Sequence, residues 1–374
     1  MVARAGVPPE FVKIFDLREK DQPLGFNPLA WKGEPYFPVL GLIDAVAAEH
    51  EGLGVQTTEY MRNGLLVLAE AGAPITELEA FFHNPAIRRR LLARISAPAL
   101  IEFWQRYDRL SPEKQSVLAS PVLNKFGPLL ATEGLRRMFG HPCPVDLGEH
   151  LRTPGSVTLI SLAVDELHSA GWMVGQIMLS SICREVFSQA NLPESQRNPL
   201  RLYVDEFENF NPQHFESILA EGRRFKFSVV LAHQTLAQLA PKIRSMILGN
   251  CGVKVVFRTS HQDAEILNRD LTGVKGAFDL ASLPVGEAVL WRRGEYPFQI
   301  EVNAPLIEDV GDLSPLAREY LKQLAELAPT YYEVVEEPAT DTSESGNTTA
   351  EPASSEKQTK TDRPPGGSLE DWLQ

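Results

Sequence analysis

Apolar residues recur along this chain with two spacings, and the places where one gives way to the other predict its architecture. Val12 to Phe15 is a short apolar run ending in Asp16, and Gly25 and Pro28 then enforce a loop. From Pro38 to Thr132 the period is helical: Leu40, Ile43, Val46 and Ala47; Tyr60, Met61, Leu65, Leu66 and Leu68; Leu91, Leu92 and Ile95; Leu100, Ile101 and Trp104. Strand-like runs return at Val157 to Leu162, after Pro154 and Gly155, and a helical stretch follows from Asp165 to Ala190. Further strands are predicted at Leu202 to Val204, Phe227 to Ala232, Val253 to Arg258, Glu287 to Arg292 and Phe298 to Val302, with a last helix at Leu313 to Leu327.

Strands alternating with helices of ten or more residues call for an α/β fold, a mostly parallel sheet with right-handed crossovers. The uninterrupted helical stretch reads as an all-α domain inserted between its strands. The expected division is 1–37 for the first part of the core, 38–150 for the insertion and 151–330 for the rest of the core. Residues 331–374 are expected to form a disordered acidic tail, because Ser, Thr, Glu, Pro and Gly dominate from Glu336 to Ser368. Its end, Leu369 to Gln374, returns Leu369, Trp372 and Leu373 on an acidic background, either a plain terminus or a short docking motif.

Charge and cysteine change this picture only a little. The chain has 374 residues and a net charge of −13. Ten acidic and three basic residues from Glu333 onward place −7 in the tail and leave −6 on the body. That balance argues against a protein that coats DNA, yet allows a ring whose positive charge is gathered on one channel. Cys143, Cys183 and Cys251 lie far apart without a C-x-x-C pair, which fits a reducing compartment. The longest clean apolar run, Val157 to Val164, is too short to span a bilayer.

The chemistry sits in Arg201 to Gln234. Leu202, Tyr203 and Val204 form a strand that delivers Asp205 and Glu206 to its C-terminal edge, a Walker B pattern. In such a site the Asp holds Mg²⁺ and the Glu polarises the attacking water. The plainer reading, a strand whose acidic end caps the next helix, has the same spacing. The following helix has Asn211 as N-cap, Pro212 at its first position, and Phe210 and Phe215 as a hydrophobic staple. No G-x-x-x-x-G-K-[ST] occurs in the 374 residues, so the usual phosphate cradle is not in this sequence.

Three segments in order, LYVDEFENF, AEGRRFKFSVVLAHQTLAQL and IRSMILGNCGVKVVFRTSHQDAEIL, resemble the motor domain of type IV secretion coupling proteins. These are TraG/TraD-type conjugative ATPases, related to the FtsK and HerA motors. The loop at Asn27 to Leu29 and the helical section after it fit the same layout, so the resemblance spans most of 10 to 305. It implies a RecA-like core that uses ATP and Mg²⁺. Asp205 would hold the metal, Glu206 would activate water, and Gln234 would act as the sensor amide. Arg223 would be the arginine finger reaching a neighbouring subunit, with Arg224 as its substitute.

It further implies a homo-hexamer that works on DNA, with relaxosome proteins and secretion-channel components as partners, at a cytoplasmic or peripheral inner-membrane location. The family's Walker A loop and membrane anchor lie upstream of the strand at Val12. The chain is therefore expected to be either the C-terminal portion of a DNA-translocating ATPase or a non-hydrolysing TraM and relaxosome-recognition module. An unrelated hydrolase built on Asp205 and Glu206 finds no nucleophile or metal cluster to support it. Without the phosphate-binding strand, apolar sheet surface should be exposed. Arg88, Arg89, Arg90 and Arg94 read as a solvated basic face or a surface for DNA, and His233 as a packing neighbour of Gln234.

Overall fold

In the computed structural model, which describes residues 2, 5–50, 52–210, 212–302 and 315–327, the first apolar run is a strand, β1 (Val12–Asp16). The helical section follows as α1 (Tyr36–Ala48), α2 (Val55–Ala71), α3 (Leu78–His83), α4 (Pro85–Leu92), α5 (Pro98–Asp108), α6 (Pro112–Phe126), α7 (Glu133–Gly140) and α8 (Leu147–Arg152). Local chemistry sets these boundaries. Asn84, Ser111, Thr132 and Asp146 cap the first turns of α4, α6, α7 and α8 with their side-chain oxygens, and Pro opens α4, α5 and α6. Gly72, at φ +67°, takes the left-handed turn that closes α2.

Aromatic rings fill the centre of this section. Trp104 is fully buried, with Phe81 edge-on at 4.6 Å between ring centroids and Tyr107 at 5.1 Å. Arg88 is part of that core. Its side chain is 0% exposed; Nη1 donates to the carbonyls of Phe81 (2.7 Å) and Phe82 (2.9 Å), and Nε donates to Asp108 Oδ1 at 2.8 Å. This corrects the reading of 88–94 as one basic face. Arg88 points inward because the α3 carbonyls and Asp108 satisfy its donors, and Arg90 is held by Glu77 at 2.8 Å.

The chain re-enters the sheet as β2 (Val157–Ser161), which pairs with β1 in parallel. The helix expected from Asp165 to Ala190 is in two pieces, α9 (Val164–Leu167) and α10 (Ser169–Ser188), broken where His168 adopts φ +48°. Almost every residue of α10 from Ala170 to Val186 is buried. Small residues let its neighbours approach. A Cβ on Gly41 of α1 would meet Ser180 Oγ at 2.2 Å, and one on Gly171 would meet the Leu162 carbonyl oxygen at 2.4 Å.

After α10 come β3 (Leu200–Val204), α11 (Pro212–Glu221), β4 (Phe227–Leu231), α12 (Pro241–Asn250), β5 (Val253–Val256), α13 (His261–Thr272), β6 (Glu287–Arg292), β7 (Phe298–Glu301) and α14 (Pro315–Leu327). Strand β4 lies parallel to β3, whereas β5, β6 and β7 form an antiparallel sheet. The parallel expectation therefore holds for β1–β2 and β3–β4 and fails for β5–β6, which are antiparallel although α13 lies between them. The β6–β7 link is a short turn, which can only reverse the chain.

Most core residues of both parallel pairs and the helices belong to one apolar cluster, and a smaller one gathers Val256, Leu271, Leu280 and Val289 beneath the antiparallel sheet. Tyr203 (69% exposed) and Val230, directly opposed on β3 and β4, present an open apolar face, as do Val253 and Val255 on β5. The described residues belong to one compact unit. The tail expected over 331–374, with its LEDWLQ end, lies outside the described residues.

Candidate functional site

Strand pairing brings Asp205, Glu206 and Gln234 to one edge, and leaves Arg223 and Arg224 before the opposite end of β4. Val204 stands opposite Leu231, and Val204 O accepts the Ala232 N–H at 2.9 Å, so Asp205 and Glu206 leave β3 beside the residues leading to Gln234 at the end of β4. The pairing continues irregularly. The Phe207 N–H reaches Ala232 O at 3.2 Å, skipping Glu206, which adopts φ +49° and ψ +41°. A non-glycine residue there is strained, and strain of this sort concentrates at functional sites. Asp205 Oδ1 accepts the Glu206 N–H at 2.9 Å, and Asn209 Nδ2 donates to Glu206 O at 3.2 Å, so local bonds hold the kink.

The ring stack beneath fixes the turn. Phe207 is buried, packing edge-on against Phe215 at 5.5 Å and against His233 at 5.3 Å. His233 thus packs on Phe207, and its Nδ1 lies 3.3 Å from Thr235 O. Phe210 and Phe215 meet at 6.3 Å, the contact expected of a staple, and α11 begins at Pro212 as expected; Asn211, the expected N-cap, lies outside the described residues.

Asp205 and Glu206 open onto a cavity of about 390 Å³ between the ends of β2 and β3, floored by α10. Its shape depends on Gly175, where a Cβ would meet Leu162 Cδ1 at 2.7 Å and Phe210 Cε1 at 3.1 Å. Ala163, also lining the cavity, is a second non-glycine residue at positive φ, +47°. Across from the carboxylates stands Arg18, which sequence reasoning passed over. Its Nη2 donates to Asp165 Oδ1 at 2.6 Å, its Nε to Glu166 Oε1 at 3.1 Å and its Nη1 to Ser161 Oγ at 3.2 Å. The signal for it was positional: it comes two residues after the C-terminal end of β1, as Asp205 comes one after that of β3.

Arg223 and Arg224 lie on a short 3₁₀ turn, residues 222–225, after α11. Arg224 pairs with Glu221 at 3.0 Å and stacks over Phe225 at 4.9 Å. Arg223 is exposed and has no side-chain partner among the described residues. Asp205 and Gln234 are likewise exposed. Among the described residues no cluster of His, Cys, Asp and Glu could by itself hold a metal, no helix is long and apolar enough to cross a membrane, and all three cysteines are free.

The arrangement fits the metal-and-water end of a nucleotide site: a carboxylate at a strand terminus, a second beside it on a strained turn, and an amide three residues past the end of the adjacent strand. The G-x-x-x-x-G-K-[ST] loop that usually cradles the phosphates does not occur in the sequence.

Residues 199–269 match the family described as the TraM recognition site of TraD and TraG. No curated protein matches the chain closely enough in sequence to count as a relative. Among solved structures, the chain is similar to the unbound bacterial conjugative coupling protein TrwB, with TM-score 0.55 and 15% identity over 82% of this chain and 76% of that one. The plasmid coupling protein TrwB in complex with ADP and Mg²⁺ gives TM-score 0.53 and 15% identity, over 82% and 77%. VirB4 of Thermoanaerobacter pseudethanolicus gives TM-score 0.54 and 14% identity, over 82% and 79%. The chain thus has the RecA-like α/β fold seen in TrwB and VirB4, and its residues 199–269 match the TraM recognition site of TraD and TraG.

Proposed function

We propose that this chain is the C-terminal portion of a conjugative type IV secretion coupling protein, a motor that links a DNA substrate to the secretion channel. The observation that carries this reading is the placement of Asp205, strained Glu206 and Gln234 at one sheet edge, within the segment matching the TraM recognition family. In this reading Asp205 would hold Mg²⁺, which would neutralise charge on the phosphates. The Glu206 carboxylate takes the proton of the attacking water, the Gln234 amide orients that water, and Arg223 serves a neighbouring subunit of a homo-hexamer. ATP supplies the phosphoryl group transferred. Because the sequence holds no G-x-x-x-x-G-K-[ST], turnover by this chain requires that another loop, or a neighbouring subunit, hold the phosphates.

A second reading has a specific observation in its favour. The family matched at 199–269 is described by recognition rather than by hydrolysis. A relaxosome-recognition module would need the α11 to α13 surface and no nucleotide.

One experiment separates the two: Mg²⁺-dependent ATP turnover by the purified chain, with and without single-stranded DNA, beside the Glu206→Gln variant. Turnover that the variant loses supports a working motor. An absence of both turnover and nucleotide binding, with retained binding to a TraM-type protein, supports recognition alone. Failure to bind nucleotide, DNA or any relaxosome component overturns both.

A further inference from the structure

A second cavity, of about 400 Å³, lies away from Asp205 and Glu206, between the 26–33 loop, the start of α8 and the C-terminal half of α10. Arg184 of α10 lines it. The guanidinium carbon sits 4.8 Å above the ring of Trp31, and Nη2 reaches Ser181 Oγ at only 3.4 Å. Its Nε is buried and has no hydrogen-bond partner. Among the described residues no carboxylate pairs with it, and burial pushes this guanidinium down to about 10.

The other charges of the lining are already matched. Arg152 Nη1 donates to Glu185 Oε2 at 2.6 Å, and Lys32 Nζ lies 2.8 Å from Asp146. Glycines hold this pattern in place: a Cβ on Gly148 would meet Glu185 Oε1 at 2.3 Å, and one on Gly33 would meet Trp31 Nε1 at 2.4 Å. The pocket therefore carries one desolvated positive charge in no ion-pair contact, since Glu185, which attracts it, is bound to Arg152, together with an indole wall and apolar flanks from Phe26, Val145 and Leu147. A desolvated guanidinium is costly when alone and favourable when it meets a planar carboxylate in its fork.

We propose that this pocket binds a small organic monocarboxylate, its carboxylate on Arg184 and its apolar body against Trp31. A single negative charge is the right complement. A phosphate dianion would bring a second charge up against Glu185 and Asp146, which also line the cavity. The size suits a small molecule, since ligand sites commonly span roughly 300–1,000 Å³.

The test is a calorimetric titration of the full chain with benzoate, repeated with inorganic phosphate. Benzoate should bind saturably with one site per chain, and phosphate should not displace it. Arg184→Gln should weaken benzoate by roughly ten- to hundredfold, the size of a lost charge-assisted bond, with Arg184→Lys in between. Should Arg184→Gln fail to fold by circular dichroism, Trp31→Leu, which keeps the charge and removes the indole wall, should still lose most of the affinity. Benzoate that does not saturate by about 10 mM, or a site that survives both variants, overturns the proposal. So does phosphate binding as tightly as benzoate.

Discussion

Asp205 Oδ1 accepts the backbone N–H of Glu206 at 2.9 Å, so the first carboxylate of the pair holds the second on a left-handed turn. That turn costs the native state about 1–3 kcal/mol. Replacing Glu206 by Gly should therefore stabilise the chain by about 1 kcal/mol in a urea titration, as glycine adopts this conformation without penalty. Glu206→Gln keeps the strain and should leave stability within about 0.5 kcal/mol. If both variants unfold like the wild type, the turn is not strained and the functional reading of it weakens.

Gly171 and Gly175, one helical turn apart on α10, let the end of β2 rest on the helix beneath the cavity. Gly175→Val should destabilise by about 1–3 kcal/mol, because Leu162 and Phe210 have to give way. Gly171→Ala meets a backbone carbonyl oxygen rather than a flexible side-chain tip, and should cost at least as much despite adding one methyl. Thermal unfolding followed by circular dichroism measures both.

Arg88 is a buried charge held by one carboxylate and two carbonyls. Asp108→Ala leaves that charge without its counterion and should cost about 3 kcal/mol. Pairing it with Arg88→Met should restore much of the loss, since an apolar side chain of similar length fills the aromatic core. A double variant no better than Asp108→Ala would show that Arg88 acts mainly through packing.

Burial lowers the affinity of His150 for a proton below its ordinary value of 6.5. A histidine kept neutral in the folded state contributes stability that is present above 6.5 and is lost as pH falls below it, when the unfolded chain binds the proton more readily. His50 is shifted the same way, chiefly by burial. Stability should decline between about pH 7 and 5, and His150→Asn should flatten part of that slope in pH-resolved melts.

Arg223 and Arg224 differ in what they hold. Arg223→Ala should leave monomer stability unchanged within about 0.5 kcal/mol, and Arg224→Ala, which breaks an exposed ion pair and a stacking contact, should lose up to about 1 kcal/mol. A stability loss confined to Arg223→Ala would make it a structural residue and count against its reaching a neighbouring subunit.

Much of this was legible in the sequence because it rests on local signals. Strand β1 begins and ends as its apolar run does, β6 spans the expected Glu287 to Arg292, and the Phe210 and Phe215 contact follows from helix-start chemistry. What escaped depends on tertiary partners. Arg88 looks no different from Arg89 in the sequence; only Asp108 and the carbonyls of α3, brought round by the fold, turn it inward. The break at His168 is likewise hidden within a helical period, because the backbone reverses sign there without changing the apolar spacing. Arg18 joins the cavity through β1–β2 pairing across more than a hundred residues, which no local pattern announces.

The exposed rows carrying Tyr203 and Val230 on one sheet and Val253 and Val255 on another also govern how this polypeptide behaves in a test tube. Wetted aromatic and β-branched rows on short strands are templates for self-association, so yield and solubility of the isolated chain should fall steeply with concentration and with salts that strengthen apolar contact. A co-expressed protein that restores solubility would identify itself as the natural cover of that surface before any activity is measured.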